Sequence, residues 1–254
     1  MKLYIPIIAY NGNVSTEFML SMMNFQQYLI KNKYEATFYP ITFESLISRA
    51  RNASASLFLE SNMEYLFFVD TDISFSPLDF EKLVKSGKEV CGGIYPKKYL
   101  NREKLKYISK NETDNVVLDH IEELSTDFSS EISNKIVNST LPEYVEIDNV
   151  ATGFLLIKKS AFLKIVNKFP DIEYYNDIDG YGDNKVKFYN FFNVGVNENK
   201  KYLSEDYGFC DLYKKSGGEM YVSTNTNLTH IGRKSYTGNV HNQSIYWSNK
   251  FNIN

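Results

Sequence analysis

The sequence predicts an α/β protein built on a mostly parallel central sheet with helices on its faces, and three observations predict it. Short apolar segments alternate with helical ones through the N-terminal part, the pattern of a parallel sheet with crossover helices. One of them, Tyr65-Leu66-Phe67-Phe68-Val69, is an unbroken run of aromatic, aliphatic and β-branched residues, as expected of a strand buried on both faces. At 254 residues and 43% hydrophobic content, the chain suits one large domain with a full core.

Leu3 to Ala9 reads as the first strand, and Thr16 to Lys31 as a helix with Phe18, Met19, Met22, Met23 and Leu29 among its apolar positions. Glu35 to Tyr39 is a short strand, Phe43 to Glu60 a second helix, and Tyr65 to Val69 the third strand. Ser76-Pro77-Leu78-Asp79 supplies a cap, a proline at the first helical position and an acid at the third, opening a helix to Ser86. Glu89 to Gly93 is a strand closed by a glycine pair. Residues 1–96 thus form a Rossmann-like half, without the G-x-G-x-x-G of dinucleotide folds.

From Tyr99 to Glu143 the segment is polar and short of periodicity, which predicts a variable insertion over the sheet edge. Regularity returns from Val145 to Ile157, an apolar stretch interrupted at Thr152-Gly153, where a glycine marks close approach of a ligand or another backbone. Lys159 to Phe169 is a helix. Glu173 to Phe192 is loop-like and dense in aromatics, Tyr174, Tyr175, Tyr181, Tyr189 and Phe192 among them, which either join the core or face a sugar ring. Ser204 then caps a helix to Lys215, and Met220 to Val222 is a strand.

A net charge of −3 argues against a protein devoted to gripping nucleic acid. Lys97, Lys98, Arg102, Lys104 and Lys106 form the one basic cluster, a solvated face or a contact to an anionic acceptor. Cys91 and Cys210 have no zinc spacing and are expected to be reduced and buried. No apolar run is long enough for a membrane span. Met1 to Tyr10 is too soon interrupted by Asn11-Gly12-Asn13 for a signal peptide, so a cytoplasmic location is expected and the sequons at Asn111 and Asn138 are chance.

The segment most suggestive of chemistry follows the third strand. Side chains alternate along a strand, so Asp70 and Asp72 are expected on one side of its carboxyl end, where α/β sheets bind ligands. Two such acids suit Mg²⁺ or Mn²⁺, an ion that keeps positions open for substrate phosphates. Helix capping is a poorer account of them, because Ser76 and Asp79 already do that work. In Ser204-Glu205-Asp206, either acid alone suits the first turn of a helix. His230, one of three histidines, lies just before a glycine-containing loop, and its neutral imidazole suits a divalent transition metal.

In order along the chain, Ile5-Pro6-Ile7-Ile8-Ala9-Tyr10, Arg49-Ala50-Arg51-Asn52, Phe67-Phe68-Val69-Asp70-Thr71-Asp72, Ala151-Thr152-Gly153-Phe154, Ser204 to Cys210 and Thr229-His230-Ile231-Gly232 resemble a GT-A glycosyltransferase, a nucleotide-sugar-dependent enzyme with a D-x-D motif. The look is of the small soluble viral, phage or bacterial members, which for a viral chain means the host cytoplasm. The resemblance implies a single catalytic domain over 1–254: a nucleotide-binding half at 1–96, a variable insertion at 99–143 and an acceptor-side half at 144–254 ending in a metal-ligand loop. It implies Asp70, Asp72 and His230 as ligands of Mn²⁺ or Mg²⁺. Ala9 and Tyr10 would meet the nucleobase, Arg51, Asn52, Asp70 and Thr71 the ribose or diphosphate, and Thr152 and Gly153 the donor.

Asp206 matches the general base of inverting relatives, with Glu205 in support or touching the donor sugar. The donor would be a UDP-sugar, the activity that of a hexosyl- or pentosyltransferase, and the acceptor a hydroxyl of a glycan, protein or modified nucleobase. The segment Gly232 to Gly238, with Arg233, Lys234 and Tyr236, is expected to close over bound donor. Two other classes compete: a nucleotidyltransferase or other nucleotide-sugar enzyme using the same acids, and a catalytically silent sugar-binding module.

Overall fold

The computed structural model describes residues 1–130, 132, 141–178, 180–181 and 186–251. Its elements run β1 (Lys2–Ala9), α1 (Thr16–Lys31), β2 (Glu35–Thr42), α2 (Ile47–Glu60), β3 (Tyr65–Val69), β4 (Ile73–Ser74), α3 (Pro77–Lys85), β5 (Val90–Gly93) and β6 (Pro96–Leu100). Then come α4 (Arg102–Asn111), α5 (Asn115–Asp119), α6 (Ile121–Ser125), β7 (Thr126–Phe128), β8 (Tyr144–Ile147), β9 (Phe154–Lys158) and α7 (Lys159–Lys168). The short strands β10 (Glu173–Tyr174), β11 (Phe188–Tyr189), β12 (Gly195–Val196) and β13 (Tyr202–Leu203) lead to α8 (Glu205–Lys215), β14 (Met220–Ser223), β15 (Leu228–Ile231), β16 (Ser235–Gly238) and α9 (Val240–Phe251).

The central sheet has the order β2-β1-β3-β9-β5-β14-β8. β1 pairs in parallel with β2 and β3, and β14 with β5, while β9 and β8 run antiparallel to their neighbours. Both faces are covered. Along β3, Leu66 and Phe68 enter one apolar cluster and Phe67 and Val69 the other; along β9, Leu155 and Ile157 oppose Phe154 and Leu156 in the same way. That period of two is why these strands read as continuous apolar runs. Under α1 and α3, Phe25, Phe67, Phe75, Phe80 and Phe154 meet largely edge to face, with Phe67 5.0 Å from Phe80 and 5.1 Å from Phe154.

Three sequence expectations are corrected. The second helix begins at Ile47, because Phe43 takes a left-handed φ of 61° and the Glu44 carboxylate accepts the Leu46 N–H at 2.9 Å. The stretch from Val145 to Ile157 is two strands far apart in the sheet, β8 at the edge on β14 and β9 between β3 and β5. The 99–143 insertion is not patternless. It carries α4 to α6 and β7, and Ile108, Leu124, Phe128, Ile132 and Leu141 join the core; its residues 131 and 133–140, the sequon at Asn138 among them, lie outside the described residues.

The order within the insertion leaves little periodicity in the sequence because its helices are short and α4 buries Ile108 alone. Helix α9, unforeseen, fastens it: Trp247 Nε1 donates to Leu124 O, and Gln243 Nε2 to Glu123 O and Thr126 O. Cys91 and Cys210 are free and buried, as expected. No helix among the described residues is long and apolar enough to cross a membrane.

Glu89 ties the end of the α3–β5 connection to α7 and α8. Burial works against its charge, but donors from Lys164 (2.5 Å), Ser160 (2.6 Å) and Tyr213 (2.8 Å) outweigh burial and bring its pKa down to about 2. A carboxylate depressed in the folded state stabilises fully above its unfolded pKa and loses that contribution as pH falls. Stability is therefore expected to drop between about pH 4.5 and about pH 2, and Glu89→Gln to flatten that part of the urea-midpoint profile. In neutral urea melts, Phe67→Ala should cost ~3–5 kcal/mol, whereas Ile30→Ala, at a position 69% exposed, should stay within about 0.5 kcal/mol.

Candidate functional site

The apolar strand β3 ends at Val69, and the chain at once turns, the Ile73 N–H closing on Asp70 O at 2.9 Å. Neighbouring segments hold this turn: Asp70 N–H donates to Gly153 O, Ser15 N–H to Thr71 O, and Ile231 N–H to Asp72 O at 2.7 Å. Strand alternation therefore stops at Asp70. The two carboxylates have different partners, a correction to the expectation that both aim at one point.

Asp72 meets His230. Register places His230 opposite Ile73 across β15 and β4, and the imidazole Nε2 lies 3.6 Å from Asp72 Oδ1. On the other side of the ring, Nδ1 sits 2.9 Å from Pro96 O. A carbonyl only accepts, so Nδ1 carries the hydrogen and Nε2 is turned toward the carboxylate. Tyr95 packs edge-on against the ring at 5.2 Å. Asp72 Oδ2 is 2.5 Å from Lys98 Nζ. Burial opposes ionisation of Asp72, but the His230 ring in its protonated form, with both nitrogens bearing hydrogen, together with Lys98 outweighs it and brings the pKa down to about 2.

Asp70 instead meets Arg51, which is 4% exposed and so not a helix-surface charge. Its Nη2 reaches Asp70 Oδ1 at 3.1 Å, its Nε reaches Glu205 Oε1 at 3.3 Å, and the guanidinium lies 5.3 Å over the Phe68 ring. Burial works against the guanidinium charge, yet the two carboxylates push its pKa up. Nη1 is buried with no hydrogen-bond partner among the described residues. Asp206, next to Glu205, accepts from Ser204 Oγ and from the Tyr207 N–H, both on Oδ1. Gly208 is obligatory there, since a Cβ would come within 1.9 Å of Asn193 O.

Other expected donor contacts are placed differently. Asn52 is buried, and it ties α2 to the 190–192 loop: its Nδ2 donates to Asn190 Oδ1 and its Oδ1 accepts the Phe192 N–H at 2.7 Å. Thr152 is buried, and Gly153 makes room for the Tyr95 ring, whose hydroxyl would be 2.5 Å from an added Cβ. The glycine signal was real, but the close neighbour is a protein side chain. Ala9 is buried too and offers its carbonyl to Gly12 N–H and Phe43 N–H. Tyr10 and Thr71 line a cleft of about 330 Å³ with Ile8, Asn11, Asn13, Glu44, Ser45 and Ile47, and Tyr10 is 67% exposed.

Of the aromatics in the 173–192 stretch, Phe192 is core, stacked on Phe209, while Tyr175 is exposed and the Tyr181 hydroxyl donates to Glu44. The Gly232 to Gly238 segment is mostly hairpin, β15 pairing with β16, with Lys234 salt-bridged to Glu122. Sequence reasoning missed Tyr95 altogether and placed Lys98 only in a basic cluster. Both sit within five residues of the Gly92-Gly93 strand end, and no local pattern announces that β6 turns back beside β15.

Among the described residues no three His, Cys, Asp or Glu side chains gather as a ready-made metal centre. Asp72 and His230 nonetheless fit one divalent ion, a carboxylate oxygen and a ring nitrogen facing each other with the far nitrogen fixed by a carbonyl. Two protein donors leave the remaining positions to water or phosphate oxygens, as Mg²⁺ sites usually do.

No family model matches the chain, and no curated protein matches it. Among solved structures it is similar to GalNAc-T7, determined with UDP, GalNAc and Mn²⁺, at a TM-score of 0.47 and 9% identity. The match covers 91% of this chain and 43% of that one, so the chain spans less than half of its length.

Arg51→Met should destabilise the protein by about 2 kcal/mol or more, less than the ~3–5 kcal/mol of a fully buried pair because Asp70 is 35% exposed. Adding Asp70→Asn and Glu205→Gln should restore part of the loss in urea melts, since the carboxylates then no longer face each other uncompensated.

Proposed function

We propose that this chain is a metal-dependent glycosyltransferase of the GT-A type, moving a sugar from a nucleoside diphosphate, UDP by preference, to an acceptor hydroxyl with inversion. The observation that carries it is the meeting of the Asp72 carboxylate with His230 Nε2, with the opposite ring nitrogen committed to Pro96 O. Asp72 and His230 would hold Mn²⁺ or Mg²⁺, which when bound supplies charge neutralisation for a diphosphate leaving group. Asp70, facing Arg51, acts on the ribose side and is at most an outer partner of the ion.

The exposed Tyr10 ring and Thr71 at the 330 Å³ cleft take the nucleobase and ribose. This gives 1–96 the nucleotide and 144–254 the acceptor side, with the insertion bordering the latter. Asp206 is the general base: Ser204 and the Tyr207 N–H hold Oδ1, and Oδ2 carries no hydrogen bond among the described residues. Glu205, salt-bridged to Arg51, orients the start of α8 and with it Asp206. Tyr95 links the parts, its hydroxyl pKa pushed up by burial first and then by Asp70 and Asp206.

A screen of nucleotide sugars for Mn²⁺-dependent hydrolysis tests the assignment. The expected products are free sugar and nucleoside diphosphate, and Asp72→Ala should abolish their release. Cleavage within the diphosphate instead, giving a nucleoside monophosphate and a sugar phosphate, would indicate a nucleotidyltransferase or related enzyme, and no turnover with any donor a silent binding module. Once an acceptor is in hand, Asp206→Asn should lower transfer by ~10² to ~10⁴ while leaving nucleotide and Mn²⁺ binding unchanged. Transfer at the wild-type rate by Asp206→Asn, with loss in Glu205→Gln, would move the base to the neighbouring residue.

A further inference from the structure

Lys98 and His230 meet the same carboxylate from two sides. Lys98 lies two residues beyond Pro96 on β6, the strand whose Pro96 carbonyl sets the His230 ring. Its ammonium is 2.5 Å from Asp72 Oδ2, while His230 faces Oδ1 of the same carboxylate. Its stem runs over Gly232, where an added Cβ would come within 3.1 Å of Lys98 Cδ, so the end of β15 leaves a track for that side chain. Lys98 is 40% exposed, free to swing without disturbing the core.

We infer that Lys98 is a tethered competitor for the divalent ion: it occupies the Asp72 carboxylate in the nucleotide-free protein and transfers to the diphosphate when donor arrives. This rests on the metal site of the proposed function and adds to it an order of events. A lysine ammonium is a flexible point charge that can pair with a carboxylate or a phosphate. In the empty site it neutralises Asp72 and disfavours a free metal ion. Once phosphate oxygens are present it has a second anion to bind, and Asp72 Oδ2 is released. Nucleotide and metal then enter together, and unproductive metal loading is suppressed.

The competition has a signature that simple removal of a positive charge lacks. Losing one positive charge near the site would strengthen Mn²⁺ binding to a similar degree with or without nucleotide. Losing a competitor that moves to the phosphates strengthens it only when nucleotide is absent.

Mn²⁺ binding, followed by electron paramagnetic resonance of the free ion and by titration calorimetry, should be compared in wild type, Lys98→Met, Lys98→Arg and Asp72→Asn, each with and without saturating UDP. Lys98→Met is expected to bind Mn²⁺ alone ~3- to ~10-fold more tightly than wild type. With UDP it should bind no more tightly than wild type, so that the enhancement of metal affinity by nucleotide shrinks. Lys98→Arg should retain most of the wild-type enhancement.

Equal tightening by Lys98→Met in both conditions, or no change in either, would overturn the inference and leave the metal site standing, provided Asp72→Asn loses Mn²⁺. If Asp72→Asn and wild type behave alike in every condition, the metal site itself is misassigned and the role of Lys98 falls with it. Circular dichroism of each variant serves as the control for folding.

Discussion

The candidate site depends on one buried cation. The Arg51 guanidinium lies over Phe68 and binds Asp70 at the end of β3 and Glu205 at the start of α8, segments that belong to opposite halves of the chain. A charge with so little exposure is tolerable only with paired, hydrogen-bonded partners, and each carboxylate is held in turn by the shared guanidinium. The D-x-D turn and the Ser204-Glu205-Asp206 helix start therefore have fixed positions relative to each other before any ligand binds.

Around that anchor, backbone contacts do the finer positioning. Gly153 presents its carbonyl to Asp70 and, by lacking a side chain, admits the Tyr95 ring that flanks His230. The Asp72 carbonyl takes the Ile231 N–H, so β15 arrives in one register and His230 comes to the Asp72 carboxylate. Pro96 then selects the hydrogen-bearing nitrogen of the ring, and Lys98 on the same strand neutralises the acid. A short strand after the Gly92-Gly93 pair thus equips the turn after β3, and the insertion that follows is fastened by Gln243 and Trp247 of α9.

The antiparallel entry of β9 between β3 and β5 has a similar consequence. It brings Thr152-Gly153 to the end of β3, five residues pairing from Tyr65 opposite Lys158 to Val69 opposite Phe154. A continuous strand through residues 145–157 would leave Asp70 without its backbone acceptor and Tyr95 without its niche. The break between β8 and β9 is accordingly part of how the site is assembled.

Much of this was legible in the sequence, and what was legible shares a physical basis. The positions of the first three strands, the helix from Thr16 to Lys31 and the Ser76–Asp79 helix start are local matters of periodicity and capping, and they can be read from the residues alone. Asp70 and Asp72 are legible as two acids closing an apolar strand, whereas Glu205, Asp206 and His230 are singled out only by the order of motifs along the chain. Their partners are not legible there. That Arg51 is buried between two acids, that Asn52 serves a loop, that Gly153 admits a tyrosine and that Lys98 reaches Asp72 are contacts between residues distant in sequence, decided by strand order and register. Such contacts depend on burial and on which backbone groups remain unpaired after the sheet has formed, quantities that exist only in the tertiary structure.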